Sequence, residues 1–241
     1  MATNLDLKPY LRKIKIETPD EGKYPFNIPA LKNLKELNFE TQVTYIIGEN
    51  GVGKSTLIEA IAVKMGLNAE GGNQNTIFNT KETHSDLHKY MKPVKGAYRP
   101  KFWYFLRAES FYNVASKVDE IGYIGSYGGK SLHEQSHGES FMSVLSNKLH
   151  DGGFYIFDEP EAALSPQRQL SALIEIDRLV KGGSQIIITT HSPILMSYPN
   201  STILQLSEDG VKKVNYKDTE HYKVTKDFLN KTELMLKELL R

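Results

Sequence analysis

The sequence contains no cysteine, which excludes disulfide bonds and thiolate metal sites. It also has no run of about 18 apolar residues that could span a bilayer. Its first residues, MATNLDLKPYLRK, lack the apolar core of a secretory signal peptide. We therefore expect a cytoplasmic protein with no membrane segment.

A charge imbalance is lacking as well. Thirty Lys and Arg against 29 Asp and Glu give a formal charge of +1, so the chain as a whole has no electrostatic footprint of a dedicated nucleic-acid binder. One local stretch, 81–101, carries six Lys or Arg against two acidic residues, with aromatic residues interspersed. A solvated connecting region is the simpler interpretation, and a nucleic-acid surface is the alternative.

The most informative stretch that is present is GENGVGKS at 48–55, which fits the pattern G-x-x-x-x-G-K-[ST]. An apolar run precedes it and a helical pattern follows it, so the loop would lie at a helix N-terminus that favours anions. Its glycines let backbone N–H groups point at phosphate oxygens, Lys54 reaches the outer phosphates and Ser55 can ligate magnesium. We predict a nucleoside triphosphate site formed by Gly48, Glu49, Asn50, Gly51, Val52, Gly53, Lys54, Ser55 and Thr56.

Two further groups follow predicted buried strands. The run GFYIF at 153–157 leads directly into Asp158 and Glu159, a Walker B arrangement. Asp158 can hold magnesium through water, and Glu159 can polarise a water for attack on the terminal phosphate. His191 follows the apolar run SQIIITT at the same edge of a parallel sheet, where it can hydrogen-bond that phosphate.

The remaining pattern predicts strands at 11–17, 41–47 and 101–108, and a looped insertion at 66–100 with a short helix near 83–91. Helices are expected at 139–149 and at 165–181, with Pro166 in the first turn of the latter. A hairpin is expected about residues 208–210. The end, 219–240, predicts an amphipathic helix that docks on the core.

Together these motifs resemble the ABC-type ATPases over about residues 10–215. GENGVGKST is similar to their Walker A motif, FYIFDEP to their Walker B and TTHSP to their switch histidine. Ser136 and Gly138, in QSHGE, match the family signature LSGGQ, whereas His137 and Glu139 depart from it. That departure favours the soluble, SMC-like and predicted-ATPase branches over transporter subunits.

The resemblance implies an α/β P-loop NTPase with a mostly parallel central sheet flanked by helices, an added antiparallel β region and a reduced helical lobe. It implies one domain over 1–241, with a signature-bearing helical subregion near 110–150. ATP and Mg²⁺ are the implied ligands. Glu109 would replace the usual metal-ligating glutamine, Ser165 occupies the D-loop aspartate position, and Tyr24 or Phe26 are candidates for adenine stacking.

The resemblance also implies a mechanism. Two chains would pair head to tail on ATP, with Ser136 and Gly138 of one chain contacting the terminal phosphate bound by Lys54 of the other. We expect an ATPase that drives or gates a separate effector protein. A transporter nucleotide-binding subunit and an ATP-controlled DNA repair or defence factor remain alternatives, and so does a non-hydrolysing binding module.

Overall fold

The computed structural model describes residues 9–17, 22–73, 85–108 and 136–240. Nine strands are present in this part of the chain: β1 Leu11–Ile16, β2 Glu36–Asn38, β3 Val43–Ile47, β4 Met91–Lys95, β5 Phe102–Arg107, β6 Gly153–Asp158, β7 Gln185–Thr189, β8 Thr202–Ser207 and β9 Gly210–Val214. The α-helices are α1 Pro29–Lys32, α2 Lys54–Lys64, α3 His137–Ser143, α4 Pro166–Lys181, α5 Glu220–Asn230 and α6 Thr232–Leu239.

The central sheet has six strands in the order β5-β6-β7-β3-β8-β9, and all neighbours are parallel except β8 and β9. Every residue of β3, β6 and β7 is buried. Alternate side chains enter two separate cores, one against α2 and one against α3 and α4. The uninterrupted apolar runs of the sequence therefore reflect strands that are covered on both faces, and the predicted fold class is confirmed.

A second sheet is antiparallel and three-stranded, in the order β2-β1-β4. The interpretation of 66–100 as a looped insertion was wrong for β4, and the short helix near 83–91 is a 3-10 helix over Asp86–Tyr90. The strand escaped recognition because Pro93 and two lysines interrupt its apolar pattern. As an edge strand, β4 tolerates a proline that cannot donate a hydrogen bond.

The helix predicted at 139–149 begins earlier and changes character. Helix α3 starts after Ser136, and a π-helical turn follows at Val144–Lys148. The predicted helix at 165–181 is confirmed with Pro166 at its first position, and the predicted hairpin is formed by β8 and β9.

The prediction of one C-terminal helix docked on the core was wrong. The segment breaks at Lys231, whose φ of −133° is not helical, into α5 and α6. Neither helix buries a residue, and Leu229 and Leu239 are among its exposed apolar side chains. Amphipathic spacing predicted the apolar face correctly but carried no information about what covers it. None of the helices in the described ranges combines the length and apolarity that a membrane crossing requires.

Candidate functional site

The loop between β3 and α2 adopts a backbone that its glycines permit. Gly48 has a φ of +150°, and a Cβ there would lie 2.5 Å from the carbonyl oxygen of Leu206. Gly53, with a φ of +104°, is the N-cap residue of α2, and no side chain caps the helix. The helix therefore starts with N–H groups that no side chain satisfies, which suits an anion.

Lys54 is buried at the start of α2, and its ammonium folds back over the loop. Its Nζ donates to the carbonyl oxygens of Gly48 at 2.8 Å and Glu49 at 3.0 Å. Burial lowers the pKa of Lys54, and the nearby carboxylates Glu159 and Asp158 act against that shift. The lysine and the two carboxylates therefore share one electrostatic environment.

The parallel strand order brings the three predicted groups to one edge of the sheet. β7 lies between β3 and β6, so the phosphate loop after β3, the carboxylates after β6 and His191 after β7 emerge side by side. Ligand sites of open α/β sheets lie at this carboxyl edge.

Asp158 is held at the end of β6 by groups from both neighbouring strands. Thr189 Oγ1 donates to its Oδ1 at 2.5 Å, and Arg107 Nε lies 3.4 Å from its Oδ2. Arg107 also donates to Glu59 of α2 at 3.1 Å. These contacts fix the carboxylate that the sequence assigns to magnesium.

Glu159 adopts a left-handed backbone conformation, with φ 49° and ψ 54°. Such a conformation is costly for a residue that is not glycine, and it is found at functional sites. Its N–H donates to both the carbonyl oxygen and the hydroxyl of Thr189, at 3.2 and 3.1 Å. The turn directs the carboxylate towards His191, whose Nε2 lies 3.6 Å from Glu159 Oε1.

Glu161 positions the backbone of the histidine loop. Its carboxylate accepts from Thr190 Oγ1 at 2.8 Å and from the His191 N–H. Burial raises the pKa of Glu161, and these hydrogen bonds oppose the rise. Burial and the charge of Lys54 lower the pKa of His191, which favours a neutral imidazole near pH 7.

The signature segment forms the start of α3. Ser136 and Glu139 form a capping box, in which Ser136 Oγ accepts from the Glu139 N–H and Glu139 accepts from the Ser136 N–H. Arg168 of α4 donates to Ser136 Oγ at 3.1 Å and lies 3.3 Å from Glu139. A Cβ on Gly138 would lie 2.4 Å from Arg168 Nη1, so the glycine permits this approach.

A cavity of about 870 Å³ lies beside the phosphate loop. Residues 48–52 form one wall, and Glu220, His221, Val224 and Thr225 of α5 form another, with His191 between them. The C-terminal helix that the sequence assigned to core docking therefore borders the predicted nucleotide site.

The other sequence predictions have mixed outcomes. Glu109 lies outside the described residues, as does most of the predicted 110–150 subregion. Phe26 was a wrong candidate for adenine stacking, because it is buried and packs edge-on against Tyr90. Tyr24 is 61% exposed. Ser165 is the N-cap of α4.

The basic stretch is partly neutralised where it is described. Lys89 pairs with Asp86, and Lys92 pairs with Glu17, each at 2.7 Å. Trp103 packs against Tyr10 and Phe154 rather than standing free. The two ion pairs therefore offset part of the positive charge of the stretch.

Sequence reasoning missed four polar residues of this site: Arg107, Glu161, Thr189 and His221. Thr189 and Glu161 carried a weak signal, since each lies within two residues of a predicted site residue. Arg107 is the last residue of β5 and lies one residue before the end of the predicted strand, which is also a site position in parallel sheets. His221 gave no signal, because only the three-dimensional course of α5 brings it to the site.

Two family models match separate parts of the chain. One family model, described as "AAA domain", matches residues 26–110. A second, described as "AAA domain, putative AbiEii toxin, Type IV TA system", matches residues 140–197.

Among curated proteins, the chain is 27% identical to the energy-coupling factor transporter ATP-binding protein EcfA2 of Mycoplasma mobile, over 92% of this chain and 85% of that protein. It is 24% identical to the uncharacterized ABC transporter ATP-binding protein YxlF of Bacillus subtilis, over 67% of this chain and 57% of that protein. The solved structure of cbiO1 from Clostridium perfringens, part of an ABC transporter complex, shares the fold with a TM-score of 0.53 at 19% identity, covering 94% of this chain and 98% of that one.

The fold and the order of the motifs define a P-loop ATPase domain. Within that class, the chain is similar to ATP-binding proteins of the ABC type.

Proposed function

We propose that this chain binds ATP with Mg²⁺ and hydrolyses it to ADP and phosphate. The observation that carries the proposal is the convergence of Lys54, Asp158, Glu159 and His191 at one edge of the sheet, beside a cavity large enough for a nucleotide. No single motif gives this arrangement, because three separate strands contribute to it.

In this proposal the loop 48–55 binds the phosphates of ATP through its N–H groups. Lys54 exchanges its contacts with the Gly48 and Glu49 carbonyls for contacts with phosphate oxygens. Ser55 and Asp158 offer a hydroxyl and a carboxylate, the hard oxygen donors that Mg²⁺ prefers, and they would hold the ion. A bound Mg²⁺ would offset the charge of the phosphates and align the terminal group.

Glu159 acts on the water. Its carboxylate accepts a proton as the water oxygen bonds to the terminal phosphorus, and the bond from phosphorus to the bridging oxygen of ADP breaks. The neutral imidazole of His191 donates from Nε2 to the terminal phosphate as charge builds there. The 3.6 Å separation between His191 and Glu159 leaves both groups able to reach the same phosphate and water.

We further propose that ATP joins two chains head to tail. Ser136 lies at the N-terminus of α3 and is exposed, so a second chain can bring a bound terminal phosphate to it. Hydrolysis removes the group that both chains contact and releases the pair, which couples the ATP cycle to a separate effector protein.

A second candidate, a nucleotide-binding subunit of a membrane transporter, is favoured by the relative named as a transporter ATP-binding protein over 92% of this chain. Fractionation of native cells separates the two. A transporter subunit copurifies with an integral membrane protein after detergent extraction, whereas the leading proposal predicts recovery without one.

Phosphate release from wild-type protein and from Lys54→Ala, with ATP and Mg²⁺, tests the enzyme proposal. Lys32→Ala is a matched control, since Lys32 is exposed at the end of α1. We expect turnover in wild type and Lys32→Ala, and loss of both turnover and ATP binding in Lys54→Ala. Absence of turnover in the wild type would contradict hydrolysis. Adding duplex DNA at stated salt tests the DNA alternative, which predicts binding or acceleration.

A further inference from the structure

The imidazole of His221 contacts the predicted switch histidine directly. His221 lies in the first turn of α5, and its Nε2 is 3.0 Å from Nδ1 of His191. The ring centroids are 5.2 Å apart. This contact joins the C-terminal helix to the phosphate edge of the sheet.

The start of α5 is fixed so that this contact is maintained. Thr219 caps the helix and is fully buried, with its hydroxyl donating to Tyr216 at 2.7 Å. The Tyr216 hydroxyl donates at 2.8 Å to the carbonyl oxygen of Pro193, two residues beyond His191. The same segment thus anchors α5 and carries the switch histidine.

The hydrogen bond between the two rings depends on which nitrogen of each ring carries the proton. In a neutral imidazole one nitrogen carries a proton and the other accepts a hydrogen bond. If His191 donated from Nδ1, its unprotonated Nε2 would face the carboxylate of Glu159 at 3.6 Å, lone pair towards negative charge. If His221 donates from Nε2, His191 carries its proton on Nε2 and presents a donor to Glu159 and the terminal phosphate.

The unpaired atoms fit either arrangement, so the Glu159 carboxylate beside Nε2 of His191 is what favours the second. Nε2 of His191 and Nδ1 of His221 are shielded from solvent and have no hydrogen-bond partner within the described ranges. In the second arrangement the His191 Nε2–H is not committed to a hydrogen bond within the described residues, and the Glu159 carboxylate lies 3.6 Å from it. Burial lowers the pKa of both rings, which keeps them neutral near pH 7.

We propose that His221 is a positioning residue for ATP hydrolysis, which holds His191 in the tautomer whose Nε2–H donates to the terminal phosphate. The inference rests on the proposed ATPase function. The proposal also gives α5 a role at the site. Movement of α5 would remove the hydrogen bond between His221 and His191.

The first test needs no nucleotide. Long-range ¹H–¹⁵N spectra of the imidazole nitrogens distinguish the two neutral tautomers in the free wild-type protein, with His191→Gln and His221→Gln used for assignment. We expect both rings to carry the proton on Nε2. A His191 ring protonated on Nδ1 overturns the proposal, whether or not the protein hydrolyses ATP.

The second test is kinetic. His221→Ala removes the donor, whereas His221→Gln retains an N–H donor at a similar reach, and Lys223→Ala changes an exposed residue in the same turn as a control. We expect His221→Ala to lower kcat about tenfold, the effect of one hydrogen bond, with KM for ATP little changed. His221→Gln should retain most of kcat, and Lys223→Ala all of it.

Circular dichroism checks that each variant is folded. An unchanged kcat in His221→Ala, or an equal loss in His221→Gln and His221→Ala, contradicts the positioning role. Failure of the wild type to hydrolyse ATP contradicts the proposed function instead, and the tautomer measurement still decides the inference.

Discussion

Nε2 of His191 lies 3.6 Å from Oε1 of Glu159, although the two residues follow different strands. This proximity arises because β6 and β7 pair in parallel, with Asp158 opposite Thr189. The segments that follow the two strands therefore leave the sheet at the same level. The left-handed turn at Glu159 then directs its carboxylate sideways towards the histidine. The carboxylate that we propose activates water and the imidazole that we propose binds the terminal phosphate therefore lie close together.

Thr189→Val should weaken both the fold and the site. The Thr189 hydroxyl donates to Asp158 and accepts from the Glu159 N–H, and valine removes both bonds at nearly the same volume. We expect the free energy of unfolding to fall by about 1–2 kcal/mol and kcat to fall with it.

The neighbouring strand offers a matched control. The buried hydroxyl of Thr44 in β3 has no hydrogen-bond partner within the described residues, so Thr44→Val should be neutral or stabilising. Urea unfolding of both variants makes the comparison. Equal stability of Thr189→Val and wild type would contradict the role assigned to Thr189.

Gly138→Ala should disturb the signature segment. The added Cβ would lie 2.4 Å from Arg168 Nη1 and 2.9 Å from the carbonyl oxygen of Ala163. We expect a loss of about 1–3 kcal/mol in the free energy of unfolding, typical of overpacking. In the Arg168→Ala background the first clash is gone and the second remains, so the loss should be smaller. Additive effects of the two substitutions would show that Arg168 and Gly138 are not coupled.

Stability should fall in mild acid through the histidine pair. The pKa values of His191 and His221 are lowered in the folded chain, mainly by burial and further by Lys54 and, for His221, by His191, while Glu159, Glu161 and Glu220 oppose the shift. In the unfolded state the pKa of histidine is about 6.5, so the unfolded state takes up protons first as the pH falls. The stabilising contribution is therefore present above about pH 6.5 and is lost as the pH falls through the folded pKa values.

Urea unfolding at about pH 7.5 and about pH 5.5 measures this effect, because the two pH values lie above and below the ordinary pKa of histidine. His221→Gln should lose less stability over the interval than the wild type, because one titrating ring is absent and the other no longer faces it. The raised pKa of Glu161 acts in the opposite direction, but it is common to both proteins. An identical loss of unfolding free energy in the wild type and in His221→Gln would contradict the destabilisation assigned to the histidine pair.

Periodicity and motif order were sufficient to predict the central sheet and the strands that carry the candidate site residues. Runs such as GFYIF and SQIIITT have no polar alternation because β6 and β7 are buried on both faces, so the pattern reports the environment directly. Their carboxyl ends then place Asp158 and His191 at a common edge without further information.

The missed features depend on long-range contacts. β4 is an edge strand whose Pro93 and lysines conceal it, and its pairing with β1 decides its conformation. His221 reaches the site only because Tyr216 and Thr219 fix the start of α5 beside Pro193. The apolar face of α5 and α6 is exposed, so amphipathic spacing alone overestimated docking on the core.

The most direct test of the central claim is to compare wild type with Glu159→Gln for ATP turnover and for oligomeric state by sedimentation, with ATP and Mg²⁺. Glu233→Gln, at an exposed position in α6, is the control for loss of one carboxylate. We predict that Glu159→Gln abolishes turnover and accumulates as an ATP-bound dimer, while Glu233→Gln behaves as wild type. A Glu159→Gln protein that hydrolyses ATP at the wild-type rate and remains monomeric would contradict both the catalytic assignment and the composite site.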